Sequence, residues 1–153
     1  MSVKKPQTVH QLAASPKTVH LGHFSSELKP ALVIDPGDLV VIDTLGGLAP
    51  DQFEAAGLAP DLIPESLRDI FREVKERGPG PHTLTGPVFI RNAQPGDILE
   101  VHLHAIKLTR SYGYSRILRG KGALPEDFPY DSTRILQIDV DRMNSEVAPG
   151  VLV

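Results

Sequence analysis

The sequence predicts a mainly β protein, in which short strands are joined by proline and glycine turns into a sandwich- or barrel-like arrangement with one α-helix. Two observations support this fold class. The chain has 13 glycines and 14 prolines among 153 residues, above the usual combined share of about 12%, and they are spread along the whole sequence. Between them lie short runs rich in Val, Ile and Leu, as expected of strands bounded by turns.

Five segments fit this strand pattern, and each is flanked by turn-forming residues. They are residues 31–35, 38–44, 86–92, 97–108 and 133–140. A weak internal repeat links two of them, because "PGDLVVI" begins at Pro36 and "PGDILEV" at Pro95. Proline presets the first corner of a type II turn and glycine supplies the positive φ at the second. We expect Asp38 and Asp97 to bond turn amides before each strand begins.

One helix is predicted around residues 64–77, in the segment "PESLRDIFREVKERG". Its apolar residues are spaced at i, i+3, i+4 and i+7 and would lie along one face. Pro64 suits the first turn, where its missing N–H has no intrahelical partner. Gly78 is expected to take the left-handed conformation that ends many helices, and Pro79 prevents continuation.

Composition makes several classes of function improbable. The net charge is −3 and no basic stripe is present, which argues against nucleic-acid and anionic-membrane partners. No apolar run approaches the roughly 20 residues of a membrane helix, and the N-terminus lacks the apolar centre of a secretory signal. The chain contains no cysteine, so disulfides and thiolate chemistry are excluded. We expect a soluble cytoplasmic protein.

A His-x-His pair offers a weak metal-site hypothesis. On a strand, His102 and His104 would point to the same face together with Glu100, and two histidines beside a carboxylate are able to bind zinc. The competing interpretation is a half-solvated strand surface, which we favour because no third ligand is placed by the pattern.

A second candidate is His82, which lies in "PHTLTGP" beside Thr83 and Thr85. Proline and glycine restrict this backbone, so a side chain is held with little ordering cost on binding. The segment is equally consistent with a structural loop in which His82 bonds a carbonyl group.

Three stretches of the sequence resemble the acetamidase/formamidase family. They are "VIDPGDLVVIDT", "GPGPHTLTGPVFIRNAQPGDILEVHL" and "YGYSRILRGKGALPEDFPY". The resemblance runs from about Lys29 to the end, which divides the chain into an N-terminal extension, 1–28, and a domain, 29–153. Members of this family hydrolyse short amides to a carboxylate and ammonia, are β-rich and are commonly oligomeric. The resemblance also implies a bound metal, with zinc as the first candidate.

The resemblance suggests roles for several residues of this chain. His82 is the candidate that orients water or substrate, and Thr85 with the backbone amides near Gly86 is the candidate that holds the carbonyl oxygen. The family tends to place an acidic residue after "VVIDT", where this chain has "LGG". Asp43, inside that segment, is the candidate carboxylate that takes its place.

Two further signatures of the family have no counterpart in this chain: a Gly-Gly-Asn segment and an acidic, glycine-rich segment around a histidine. They belong to a second half of about equal length. The sequence therefore predicts either an amidase that forms a homo-oligomer or works with a separate C-terminal half, or an interaction module derived from the N-terminal half.

Overall fold

The computed structural model describes residues 7–153, which divide into two compact units. The first contains residues 7–52 and 60–99, and the second contains residues 53–59 and 100–153. Both are built from short strands, so the predicted mainly β class is confirmed. Within the described residues, no helix is both long and apolar enough to cross a membrane.

The first unit contains six short strands. In chain order they are β1 (Val9–Leu12), β2 (Val19–Leu21), β3 (Leu32–Ile34), β4 (Leu39–Ile42), β5 (Thr83–Thr85) and β6 (Val88–Ile90). They form three two-stranded sheets: β1 is parallel to β4, β2 is antiparallel to β5, and β3 is parallel to β6. Strands β3, β4 and β6 confirm three of the segments predicted from the sequence.

The two copies of the Pro-Gly-Asp repeat form the same turn. The Asp38 amide donates to the Asp35 carbonyl at 3.1 Å, and the Asp35 amide donates to the Asp38 carboxylate at 3.0 Å. In the second copy, Asp97 and Gln94 exchange the corresponding bonds at 3.1 and 2.8 Å. Both central glycines have positive φ, of 86° and 100°. The predicted turn chemistry is confirmed.

The predicted helix, α2, spans Glu65–Glu73. It follows a shorter helix, α1 (Pro50–Ala55), and a 3-10 turn (Pro60–Leu62). The core of the first unit lies under α2. Ile70 of α2 is fully buried against Val19 and Leu21 of β2 and against Ala14. Burying such side chains stabilises the fold by roughly 1.5–3 kcal/mol each. This packing fixes β2, which carries part of the site described below.

The helix ends earlier than predicted, at Glu73 rather than at residue 77. Val74 is already extended, with φ −78° and ψ 102°, and Gly78 is not among the glycines with positive φ. The prediction of a left-handed stop at Gly78 is therefore wrong. The physical reason is a tertiary contact, because the Gly78 amide donates to the Leu21 carbonyl at the end of β2, at 2.8 Å.

The second unit contains one antiparallel sheet of four strands in the order β10-β9-β8-β7. The strands are β7 (Tyr112–Ile117), β8 (Ser132–Asp139), β9 (Asn144–Ala148) and β10 (Val151–Leu152). Strand β8 confirms the segment predicted at residues 133–140. Phe53 is buried and packs edge-on against Tyr112 and Tyr114, with ring centroids 5.9 and 5.6 Å apart. Burial also raises the pKa of Tyr112.

The long strand predicted at residues 97–108 does not form. Residues 97–110 adopt neither helix nor strand, and Ile98 and Leu103 are 95% and 79% exposed. A strand is stable only when a neighbour satisfies its backbone hydrogen bonds. No other part of residues 7–153 pairs with this segment, which explains why a strong strand pattern gives no strand.

Candidate functional site

The first unit contains a cleft of about 670 Å³ between β2, β4, β5 and the loop that follows β2. Its wall combines apolar side chains with hydroxyl groups and one imidazole. The lining residues are His20, Phe24, Ser25, Ser26, Leu28, Ile42, Thr44, Thr83, Leu84, Thr85 and Pro87. A largely apolar recess with a few convergent polar groups is the usual form of a small-molecule site.

The Pro/Gly-rich run before β5 positions this cleft by packing backbone against backbone. The Gly80 amide donates to the Gly22 carbonyl at 2.8 Å, and the Gly22 amide donates to the His82 carbonyl at 2.9 Å. A Cβ atom on Gly22 would lie 2.5 Å from the Gly80 oxygen, closer than side chains approach. Glycine is therefore required at the crossing, which holds the end of β2 beside β5.

Two threonines of β5 attach this strand to the segment that follows β4. The Thr85 hydroxyl donates to the Asp43 carbonyl oxygen at 2.8 Å, and the Thr83 hydroxyl donates to the Gly46 carbonyl oxygen at 3.2 Å. Both threonines line the cleft. Since each hydroxyl proton is already used, the hydroxyl oxygen of either residue is available to accept a hydrogen bond from an occupant of the cleft.

Of the predicted site residues, the structure brings Thr85, Asp43 and Gly86 close together. Asp43 contacts Thr85 through its backbone carbonyl, while its own amide donates to the Leu12 carbonyl at 3.0 Å. Gly86 is buried and precedes a cis peptide bond to Pro87. Its amide donates to the Thr18 carbonyl at 2.8 Å, so this particular amide is not available to a substrate carbonyl group.

His82 lies apart from the cleft wall. Its side chain is exposed and is absent from the residues that line the cleft, although the next residue, Thr83, is one of them. The contact that His82 does make is through its backbone carbonyl, which accepts the Gly22 amide. The structure thus shows a structural use for this position.

The second predicted cluster lies in the second unit and is exposed. His102 Nε2 is 2.8 Å from Glu100 Oε1, and the ring centroids of His102 and His104 are 6.5 Å apart. Across residues 7–153, no group of three or more His, Cys, Asp or Glu side chains is arranged to hold a metal ion. These three residues therefore supply at most part of a coordination sphere.

His20 is the histidine among the lining residues, and it was not predicted as a site residue from the sequence. In the strand "VHL", Val19 and Leu21 point to the core and His20 points to the opposite face, as the alternation of strand side chains requires. His20 Nδ1 is 3.4 Å from the Gly86 carbonyl oxygen, and its ring packs edge-on against His23 with centroids 5.8 Å apart. The apolar–polar–apolar order of "VHL" is the sequence pattern from which the outward direction of His20 was predictable.

His20 Nε2 is buried and has no hydrogen-bond partner among the described residues. An unsatisfied buried polar atom of this kind costs roughly 1–3 kcal/mol. Such groups are rare in folded proteins, and each one calls for a physical explanation.

The structure is thus a mainly β protein with an open cleft in its first unit. Comparison with known proteins identifies the family: the Acetamidase/Formamidase family profile matches residues 8–153, and the chain belongs to this family. No curated protein matches the chain.

Among solved structures, the chain is similar to an acetamidase from Bacillus halodurans, with a TM-score of 0.57 and 20% sequence identity. The alignment covers 94% of this chain and 42% of the acetamidase. This likeness supports the fold. The chain therefore spans less than half the length of that enzyme.

Proposed function

We propose that this chain is part of an enzyme that hydrolyses short linear amides, such as formamide and acetamide, to a carboxylate and ammonia. The observation that carries this proposal is the family match over residues 8–153. The similarity to an acetamidase of known structure gives the proposal a second, independent basis at the level of the fold.

The cleft suits a small amide as its occupant. A volume of about 670 Å³ exceeds what formamide or acetamide needs and lies within the usual range of ligand sites. Leu84 and Pro87 offer apolar contact to a methyl group, while Thr83 offers a hydroxyl oxygen to an amide nitrogen. Both parts of acetamide thus find a complementary surface.

Hydrolysis of an amide requires an activated water and stabilisation of the tetrahedral oxyanion. We assign Thr85, with backbone amides near Gly86, to the carbonyl end of the substrate, and His82 to the orientation of water or substrate. Thr85 lies in the cleft, but its hydroxyl proton is directed at the Asp43 carbonyl oxygen. To bind the oxyanion, the Thr85 hydroxyl must therefore exchange its bond to the Asp43 carbonyl oxygen for one to the substrate oxygen.

A divalent metal, zinc first among them, is the cofactor that the family resemblance implies. The described residues do not by themselves fit such an ion, since no three potential ligands converge. The assignment of His102 and His104 as ligands thus depends on further groups from outside the described residues, and we derive no catalytic step through the metal.

A second candidate function is an interaction module, which we propose to assemble with a second copy of the chain or with a separate C-terminal half. The supporting observation is the exposed apolar face of residues 98–108. The Pro-Gly-Asp repeat also supports this proposal. After the first turn, β4 pairs with β1, whereas the residues after the second turn have no neighbouring strand within residues 7–153.

The experiment that tests the first proposal is ammonia release from formamide and acetamide by the purified, folded chain, with and without added zinc. We expect release that saturates with substrate and falls in the His82→Ala variant. Equal ammonia release by His82→Ala and the parent chain would show that His82 is not part of the site, while the activity itself stands. A folded chain that releases no ammonia under either condition would favour the interaction module.

A further inference from the structure

We propose that His20 is a substrate-binding residue of the cleft, whose Nε2 atom accepts a hydrogen bond from the N–H₂ group of a small primary amide. This inference rests on the proposed function and deepens it, because it names a chemical feature that the cleft selects.

We assign the tautomer of His20 from its neighbour. The Gly86 carbonyl oxygen, 3.4 Å from Nδ1, can only accept a hydrogen bond, so Nδ1 carries the proton in the neutral ring. Nε2 then presents a lone pair and no proton. Holding one imidazole nitrogen against a carbonyl group is the usual way in which a protein fixes the other nitrogen for a ligand.

The lone pair on Nε2 has no donor in the described part of the chain. His20 is one of the residues that line the cleft, so we assign the missing donor to an occupant of the cleft. Nε2 is nevertheless screened from bulk water, and an entering ligand must therefore displace a neighbouring side chain. We assign this movement to His23, which packs edge-on against the ring at 5.8 Å and whose 3.1 Å contact with the Leu21 carbonyl oxygen must then break.

The chemistry of the lone pair defines the class of ligand. A primary amide brings an N–H donor for Nε2. A tertiary amide has no N–H and leaves Nε2 unpaired. A carboxylate is acceptor-only and places negative charge against the lone pair, so the product of amide hydrolysis is bound less well than the substrate.

The first test measures the ring nitrogens of His20 in the ¹⁵N-labelled full chain by long-range ¹H–¹⁵N correlation NMR, assigned through the backbone. At a pH where the ring is neutral, we expect the Nδ1–H tautomer. Adding acetamide is expected to shift the Nε2 resonance in a saturable manner, while acetate and N,N-dimethylacetamide leave it unchanged. An Nε2–H tautomer, no response to acetamide, or the same response to all three compounds would overturn the proposal.

The second test compares variants by acetamide binding rather than by activity. Because one hydrogen bond to a buried acceptor is lost, His20→Ala is expected to weaken acetamide binding roughly five- to a hundredfold, with little effect on N,N-dimethylacetamide. His10→Gln is the matched control, since His10 bonds Asp38 outside the cleft, and it is expected to bind acetamide normally. Equal affinity in folded His20→Ala would contradict the inference.

These measurements separate the two proposals. A chain that binds acetamide at His20 but releases no ammonia retains the binding site and lacks the activity. A chain that releases ammonia while His20 fails to respond retains the activity and refutes the assignment of His20.

Discussion

At the scale of single residues, Asp38 shows how one side chain fixes a turn and a sheet together. His10 Nε2 lies 2.9 Å from the Asp38 carboxylate, and the amides of Asp35 and Thr8 donate to the same group at 3.0 and 3.2 Å. The hydrogen bond from His10 is the main reason that the pKa of Asp38 is lowered from 3.8 to about 2, and the amides add to it. The ionised carboxylate therefore couples β1 to the start of β4.

This coupling predicts a dependence of stability on pH. Since the pKa of Asp38 is lower in the folded chain than in the unfolded chain, its contribution is fully present above about pH 3.8 and is lost as the pH falls toward about 2. We expect Asp38→Asn to melt at a lower temperature than the parent chain at neutral pH, with the difference shrinking across this window. Thermal melting at several pH values measures it, and a difference that persists at pH 2 would contradict the assignment.

The crossing of Gly22 and Gly80 gives a second prediction at this scale. Gly22→Ala must accommodate a Cβ atom 2.5 Å from a backbone oxygen at a φ of +76°. Gly37→Ala is the matched control, because Gly37 has a φ of +86° but no atom within 4 Å of the added Cβ. We expect Gly22→Ala to be less stable than Gly37→Ala by about 1–3 kcal/mol in chemical denaturation. Equal losses would show that the crossing tolerates a side chain.

At the scale of elements, the parts that local chemistry specifies were predictable from sequence. The apolar spacing of residues 67–74 located α2, and the two Pro-Gly-Asp turns followed from the φ preferences of their residues. The parts that depend on distant contacts were not. The end of α2 is set by a bond between Gly78 and Leu21, and the cleft arises from strands that are far apart in sequence.

The candidate site shows the same division. Thr85 was predicted from a motif and lies in the cleft, whereas His82 in the same motif lies outside its lining. His20 was missed because a single histidine in a three-residue strand carries little signal before its neighbours are known. Its significance comes from a buried nitrogen without a partner among the described residues, and burial of this kind arises from contacts between distant segments of the chain.

The segment 98–108 carries the prediction at the scale of elements. Its strand pattern and its exposed apolar side chains are the basis on which we propose pairing with a strand from outside residues 7–153, and a second copy of the chain is the simplest source. We expect the chain to self-associate in sedimentation experiments and Leu103→Asp to weaken that association. Lys107→Asp, in the same segment, is the control and is expected to have a smaller effect.

The outcome of that experiment discriminates between partners. Association that Leu103→Asp leaves unchanged would show that this segment is not the interface. A parent chain that is monomeric at every concentration would contradict the homo-oligomer and leave a separate C-terminal half as the proposed partner.

At the scale of the whole molecule, the central question is how much of an amidase this chain contains. It belongs to the acetamidase/formamidase family over residues 8–153, yet it covers 42% of the solved acetamidase that it resembles. The cleft of the first unit is built entirely from residues of this chain. We therefore propose that substrate binds in this cleft, while the rest of the catalytic site is open to contributions from a partner.

The most direct test of this claim is ammonia release from acetamide by the parent chain and by a variant whose cleft is blocked. Ser26 is exposed and lines the cleft, so Ser26→Trp adds bulk there without disturbing the core. Lys17→Trp places the same bulk at an exposed position outside the lining. We expect the parent chain and Lys17→Trp to release ammonia and Ser26→Trp to lose most of that activity. Equal release by all three chains would contradict hydrolysis in this cleft, while no release from the folded parent chain would contradict activity of this chain without a partner.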